Sequence, residues 1–209
     1  MITRLSKNVS SFFIKQKIIL EEDREVYEYS FEILFSTMLG FITMTAIAVI
    51  TDTIFYTLFY LIGFIPLRVV AGGYHAKNHF LCFIILIITY SLFLFTFLIP
   101  LEHMIFLLTI GTLASVVLVF ILAPSEDQNN PISMSNVARL KKKSRIIILI
   151  CASFVGVSIY FTPDIKIAFS VMCGFFTVSI SLLANYVKYR SIKQNIAISR
   201  EEEMKNEET

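Results

Sequence analysis

Long stretches without charge set the strongest limit on what this chain can fold into. Of its 209 residues, 56% are hydrophobic and only 16% are charged, against about 25% charged in an ordinary soluble domain. The apolar residues form six runs, at about 30–51, 54–70, 80–99, 104–123, 146–161 and 165–187. Such runs are typical of transmembrane helices and lack the short alternation of a membrane β-barrel. We therefore predict an all-α integral membrane protein with about six transmembrane helices.

The basic residues predict which way the spans run. Cytosolic loops of membrane proteins carry an excess of Lys and Arg. If both termini are cytosolic, only Lys166 among the 18 Lys and Arg residues falls near an outside end of a span. We therefore predict that both termini are cytosolic and that a substrate is handled from that side.

The N-terminal segment, residues 1–26, has the pattern of a helix that lies on a membrane. Apolar residues from Ile2 to Phe13 recur at helical spacing, with Arg and Lys between them. This is typical of an amphipathic interfacial helix on an anionic bilayer surface. The apolar stretches are too short for a signal peptide.

Two further polar segments complete a single polytopic domain predicted over residues 1–195. Residues 124–145 contain two prolines and end in basic residues that include Lys141, Lys142 and Lys143. They are expected to form a basic cytosolic loop that anchors the fifth span at lipid phosphates or docks an acidic partner segment. Residues 196–209 are acidic, and we expect them to form a flexible tail.

One short segment concentrates the residue types needed for nucleophilic chemistry. It lies between the second and third spans and reads RVVAGGYHAKNHFLC from Arg68 to Cys82. Gly72 and Gly73 free the backbone for a turn, and Arg68 and Lys77 add positive charge. A thiol reacts as the thiolate, and a histidine is a common partner for it. Cys82 and a histidine therefore form a candidate catalytic dyad.

The spacing leaves open which histidine serves. His79 and Cys82 are three residues apart and can share a helix face. A continuous helix would separate His75 from Cys82 by about 10.5 Å along its axis, so geometry slightly favours His79. Two alternatives remain: an inert, buried cysteine, or a metal site formed by these three side chains.

The pattern of Arg68, Gly72, Gly73, His75 and Cys82 resembles the signature of the accessory gene regulator B (AgrB) family. The GGYHA stretch with its downstream cysteine is the more specific part. The chain length, the amphipathic N-terminus, the apolar spans and a proline-containing loop that ends in lysines extend the resemblance over most of the chain.

The resemblance implies a cysteine endopeptidase of quorum sensing in the bacterial cell membrane, with its active site at the cytosolic face. Cys82 would cleave the acidic C-terminal tail from an AgrD-like propeptide, and the resulting thioester would be resolved into a cyclic thiolactone or lactone. His75, rather than His79, matches the catalytic histidine of the family.

The resemblance also implies a homodimer that needs no cofactor, no metal and no nucleic-acid partner. Arg68 would stabilise oxyanion charge or anchor the second span at lipid phosphates. The expected supporting or substrate-binding residues are Arg68, Gly72, Gly73, Lys77, Lys141, Lys142 and Lys143.

A non-enzymatic membrane protein is the competing hypothesis. A small transporter would more often carry charge within its spans, and these spans are nearly free of it. A sensor anchor would usually be joined to a sizeable soluble domain, which the 209 residues do not contain.

Overall fold

Helices make up every regular element of the computed structural model, which describes residues 2–73, 79–125, 134–161 and 164–207. They are α1 (Ile2–Lys15), α2 (Arg24–Ile50), α3 (Ile54–Ala71), α4 (His79–Phe95), α5 (Leu101–Leu122), α6 (Met134–Phe161) and α7 (Ile165–Glu207), with 3₁₀ turns at Glu21–Asp23 and Thr96–Leu98. The six helices α2–α7 are long and apolar enough to cross a membrane. The prediction of an all-α membrane protein with six spans is confirmed.

Two helices extend beyond the apolar runs that predicted them. Helix α6 begins at Met134, so the lysines expected in the 124–145 loop lie on this helix. Helix α7 continues to Glu207, through most of the segment 196–209 that was expected to be flexible. Both extensions lack Gly and Pro and are rich in Lys, Arg, Glu and Met, which have high helix propensity.

The described chain divides into two compact units. The first contains α1, α2 and α4; the second contains α3 from Phe55 onward, together with α5, α6 and α7.

In the first unit, α1 packs along α2. Phe13 stacks on Phe31 with ring centroids 5.6 Å apart, and the small side chains of Ser6 and Ser10 are the buried ones on α1. Phe12 remains 58% exposed, so α1 keeps an apolar surface available to lipid. This arrangement fits the interfacial helix predicted from the sequence.

Helix α2 presents a regular buried stripe in the same unit. Its buried residues, Ser36, Gly40, Met44 and Ala48, recur every four positions. A Cβ at Gly40 would lie 2.6 Å from the Leu86 side chain of α4. The small residue therefore allows α2 and α4 to pack closely.

In the second unit, α3 and α7 run parallel. Near the start of both helices, the Tyr56 hydroxyl donates a hydrogen bond of 2.6 Å to Asp164. Near the end of α3, Arg68 donates one of 2.9 Å to Ser181. The residue numbers rise in the same direction along both helices, as expected when two spans cross the membrane in the same sense.

Glycines bring the backbones of α3 and α7 into contact between those two points. A Cβ at Gly63 would collide with the carbonyl of Val171, and one at Gly174 with the carbonyl of Tyr60. Small residues at such crossings let membrane helices approach closely.

The C-terminal ends of α3 and α5 lie at one end of the second unit, which we call the Arg68 end. The Ser125 amide, just after α5, donates a hydrogen bond of 2.9 Å to the Ala71 carbonyl at the end of α3. Arg145, near the start of the apolar part of α6, donates a hydrogen bond of 3.0 Å to the Phe120 carbonyl of α5. Within this unit, α3, α5 and α7 therefore run in one direction and α6 runs in the opposite direction.

Candidate functional site

The glycine pair after α3 forms a turn that other residues would strain. Gly72 has φ +76° and Gly73 has φ +133°, values that L side chains rarely adopt. A Cβ at Gly72 would lie 2.7 Å from the Ser125 carbonyl oxygen. A Cβ at Gly73 would lie 2.7 Å from the Ser181 hydroxyl and would collide with the Arg68 guanidinium. Backbone conformation and space both require glycine at these two positions.

Arg68 holds this turn from within the chain. Its Nη1 atom donates hydrogen bonds of 2.9 Å to the Gly72 carbonyl and 2.9 Å to the Ser181 hydroxyl. The Gly72 amide in turn donates a hydrogen bond of 3.2 Å to the Arg68 carbonyl. A cation at the C-terminus of a helix also suits the partial negative charge of its last carbonyls. Arg68 thus caps α3 and fixes the turn, a role that the sequence did not indicate.

A second set of hydrogen bonds approaches the turn from α7. Asn185 donates through Nδ2 to the Ser125 hydroxyl, while the Ser125 amide bonds the Ala71 carbonyl at 2.9 Å. We call Arg68, Ser125, Ser181 and Asn185 the Arg68 brace. Sequence reasoning missed Ser125, Ser181 and Asn185. The available signal was an amide side chain within the sixth apolar run, where polar groups are costly unless satisfied.

Cys82 lies in the first unit, as the fourth residue of α4. It is a free thiol and is half-buried, whereas the other two cysteines, Cys151 and Cys173, are free and buried. Of the three thiols, Cys82 is therefore the one placed where a reagent or a peptide can reach it.

Several predicted site residues fall outside what the structure describes. These are His75 and Lys77, together with the side chain of His79. The pairing of Cys82 with a histidine stays a prediction, as does the alternative metal site. Among the residues that are described, no group of three or more His, Cys, Asp or Glu side chains could hold a metal ion.

The three consecutive lysines lie on α6 at the Arg68 end of the second unit. Lys141, Lys142 and Lys143 are all exposed, while the next residue, Ser144, is buried. Arg145 turns back onto α5, with its guanidinium carbon 4.9 Å from the centre of the Phe120 ring. The lysines therefore present positive charge to the surroundings, whereas Arg145 serves the packing of the helices.

The family model described as AgrB, accessory gene regulator B, matches residues 6–194. No curated protein and no solved structure shows significant similarity to the chain.

Proposed function

The chain belongs to the accessory gene regulator B family, which acts in quorum-sensing peptide processing, and we propose that it is a membrane-embedded cysteine endopeptidase. The observation that carries this proposal is the family match, which spans the whole region from α1 through the six apolar helices. It includes Arg68, the glycine turn, His75 and Cys82. The exposure of Cys82 relative to the other two thiols supports it as the nucleophile.

The first chemical step is attack by the Cys82 sulfur on the carbonyl carbon that precedes the acidic tail of the propeptide. His75 accepts the thiol proton and then delivers it to the leaving amine. The carbon–nitrogen bond breaks, and the tail leaves with a new amino terminus. An acyl group remains on Cys82 as a thioester.

The second step closes the ring. A Cys or Ser side chain within the bound propeptide attacks the thioester carbonyl, its proton passes through His75 to the Cys82 sulfur, and the enzyme is regenerated. The thioester preserves the activation of the acyl group, so no cofactor is needed. Water would hydrolyse it, and a half-buried thiol at the start of an apolar helix limits that side reaction.

Substrate recognition combines charge with the membrane surface. The exposed Lys141, Lys142 and Lys143 complement an acidic propeptide tail, and Lys77 adds a further cation. An amphipathic propeptide helix would lie on the cytosolic face of the bacterial cell membrane, as α1 does in this proposal. Confinement to that surface raises the effective concentration of the substrate. A homodimer is the proposed assembly.

The test is co-expression with an AgrD-type propeptide encoded beside this chain, followed by mass spectrometry of the peptide. We expect Cys82→Ala and His75→Ala to abolish loss of the tail, while His79→Ala retains it. Cys151→Ala is the matched control, because it removes a buried thiol. Cleavage by Cys82→Ala would refute the nucleophile and the proposal with it.

A further inference from the structure

We propose that Ser181 and Asn185 of α7 are positioning residues for the cleavage step. They hold the glycine turn that leads into His75, although neither lies near that turn in sequence. This inference rests on the proposed function and adds two residues of the sixth span to its machinery.

The first connection runs through Arg68. One nitrogen, Nη1, is shared between the Gly72 carbonyl and the Ser181 hydroxyl, at 2.9 Å in each case. The two acceptors together fix the direction in which the guanidinium points. Without the Ser181 hydroxyl, Nη1 would lose one of these two acceptors, and a long side chain that has many rotamers would be held less firmly beside the turn.

The second connection runs through Ser125. Asn185 lies four residues after Ser181, so both project from the same face of α7. Its amide donates to the Ser125 hydroxyl, and the Ser125 amide holds the last carbonyl of α3 at Ala71. The end of α3 is therefore held by α7 on two sides of the glycine turn.

The position of the turn matters because Gly73 precedes His75 by only two residues. A general base must lie within hydrogen-bond reach of the proton that it removes. A displacement of about 1 Å in a supporting element can cost a hundredfold in rate. Loss of the α7 contacts should therefore lower kcat and leave the affinity for the propeptide nearly unchanged.

A purely structural role would give a different result, and α7 offers a matched control. Ser179 is a fully buried serine two residues from Ser181, but its hydroxyl donates to the Phe175 carbonyl of its own helix at 2.9 Å. Ser179→Ala removes the same atom from the same helix without touching the turn.

The experiment measures kcat and KM for tail cleavage of the AgrD-type propeptide by the full chain in lipid nanodiscs, per folded protein. We expect Ser181→Ala and Asn185→Ala each to lower kcat roughly tenfold with KM within about twofold. Ser181→Thr should recover most of the rate, because it keeps the hydroxyl, and Ser179→Ala should match wild type. The double variant Ser125→Ala/Asn185→Ala should lose no more kcat than the worse of the two single variants, because both changes remove the same hydrogen bond.

Wild-type kcat in Ser181→Ala and Asn185→Ala, or an equal loss in Ser179→Ala, would overturn the inference. If Ser181→Ala does not fold, Asn185→Ala and the double variant decide in its place. Cys82→Ala separates the two claims. If it still cleaves, the proposed function fails; if it is inactive while the α7 variants cleave normally, only this inference fails.

Discussion

The two units of the molecule hold their helices in different ways. In the first unit, α4 carries Cys82 and has only 11% of its most apolar stretch buried, whereas 56% is buried in α7 of the second unit. In the first unit, aromatic stacking and a hydrogen bond from Arg24 to Ser11 join α1 to α2, and a close contact at Gly40 joins α2 to α4. The second joins α3 to α7 by hydrogen bonds near both ends of α3 and by glycine contacts between them.

This difference teaches that the proposed nucleophile and the turn before the proposed base are supported in different ways. Cys82, the proposed nucleophile, lies on a helix of which little is buried within the protein. The turn that leads to the proposed base is fixed by side chains from distant parts of the chain. The thiol is therefore accessible, whereas the glycine turn at Gly72 and Gly73 is held in a fixed position.

The largest expected effect comes from adding one methyl group to the turn. Gly73→Ala should lower cleavage roughly a hundredfold, because its Cβ would displace the Arg68 guanidinium and its backbone conformation would be strained. Gly156→Ala is the control, since nothing lies within 4 Å of a Cβ there. It should leave cleavage unchanged and stabilise α6 by up to about 1 kcal/mol. Equal activity in the two variants would contradict the fixed turn.

The next effect concerns access to the thiols. N-ethylmaleimide should modify Cys82 roughly ten times faster than Cys151 or Cys173, because reactivity follows exposure and those two are buried. Peptide mapping by mass spectrometry measures the three rates in one sample. Faster labelling of Cys151 would break the contrast between the two units.

A smaller effect is expected from the exposed lysines. Replacing Lys141, Lys142 and Lys143 by Gln should raise KM about fivefold for an acidic-tailed propeptide, with kcat nearly unchanged, because rim charges mainly govern encounter. The difference should shrink as salt is added. A propeptide with a neutral tail is the matched control, and an equal rise in KM for it would exclude charge recognition.

The smallest effect lies at the opposite end of α3. Tyr56→Phe removes the hydroxyl that bonds Asp164 and should cost about 0.6 kcal/mol, typical of hydrogen bonds between membrane helices. Thermal unfolding in detergent measures this loss. Cleavage should stay at the wild-type rate, since the Arg68 end is untouched; a large fall in kcat would show that both ends matter to the site.

Much of the fold was predictable because apolar runs and basic clusters are continuous in sequence. The ends of the helices were harder to predict. The lysines beside Arg145 are helical, because residues of high helix propensity extend α6 back to Met134. The brace was not predictable, since Arg68 and Ser181 are 113 positions apart and single hydrogen bonds leave no periodic pattern. The glycine pair indicated a turn but not the side chain that fills the space beside it.

The parallel contact of α3 with α7 also fixes the number of residues that can separate Gly63 from Arg68. Between Gly63, where the backbones touch, and Arg68, where the guanidinium meets Ser181, each residue advances the helix by about 100° and 1.5 Å. One inserted residue there would leave the composition nearly unaltered yet rotate the arginine away from its acceptors. Between Gly63 and Arg68, an insertion or deletion should therefore be more harmful than a substitution of one apolar, lipid-facing residue by another.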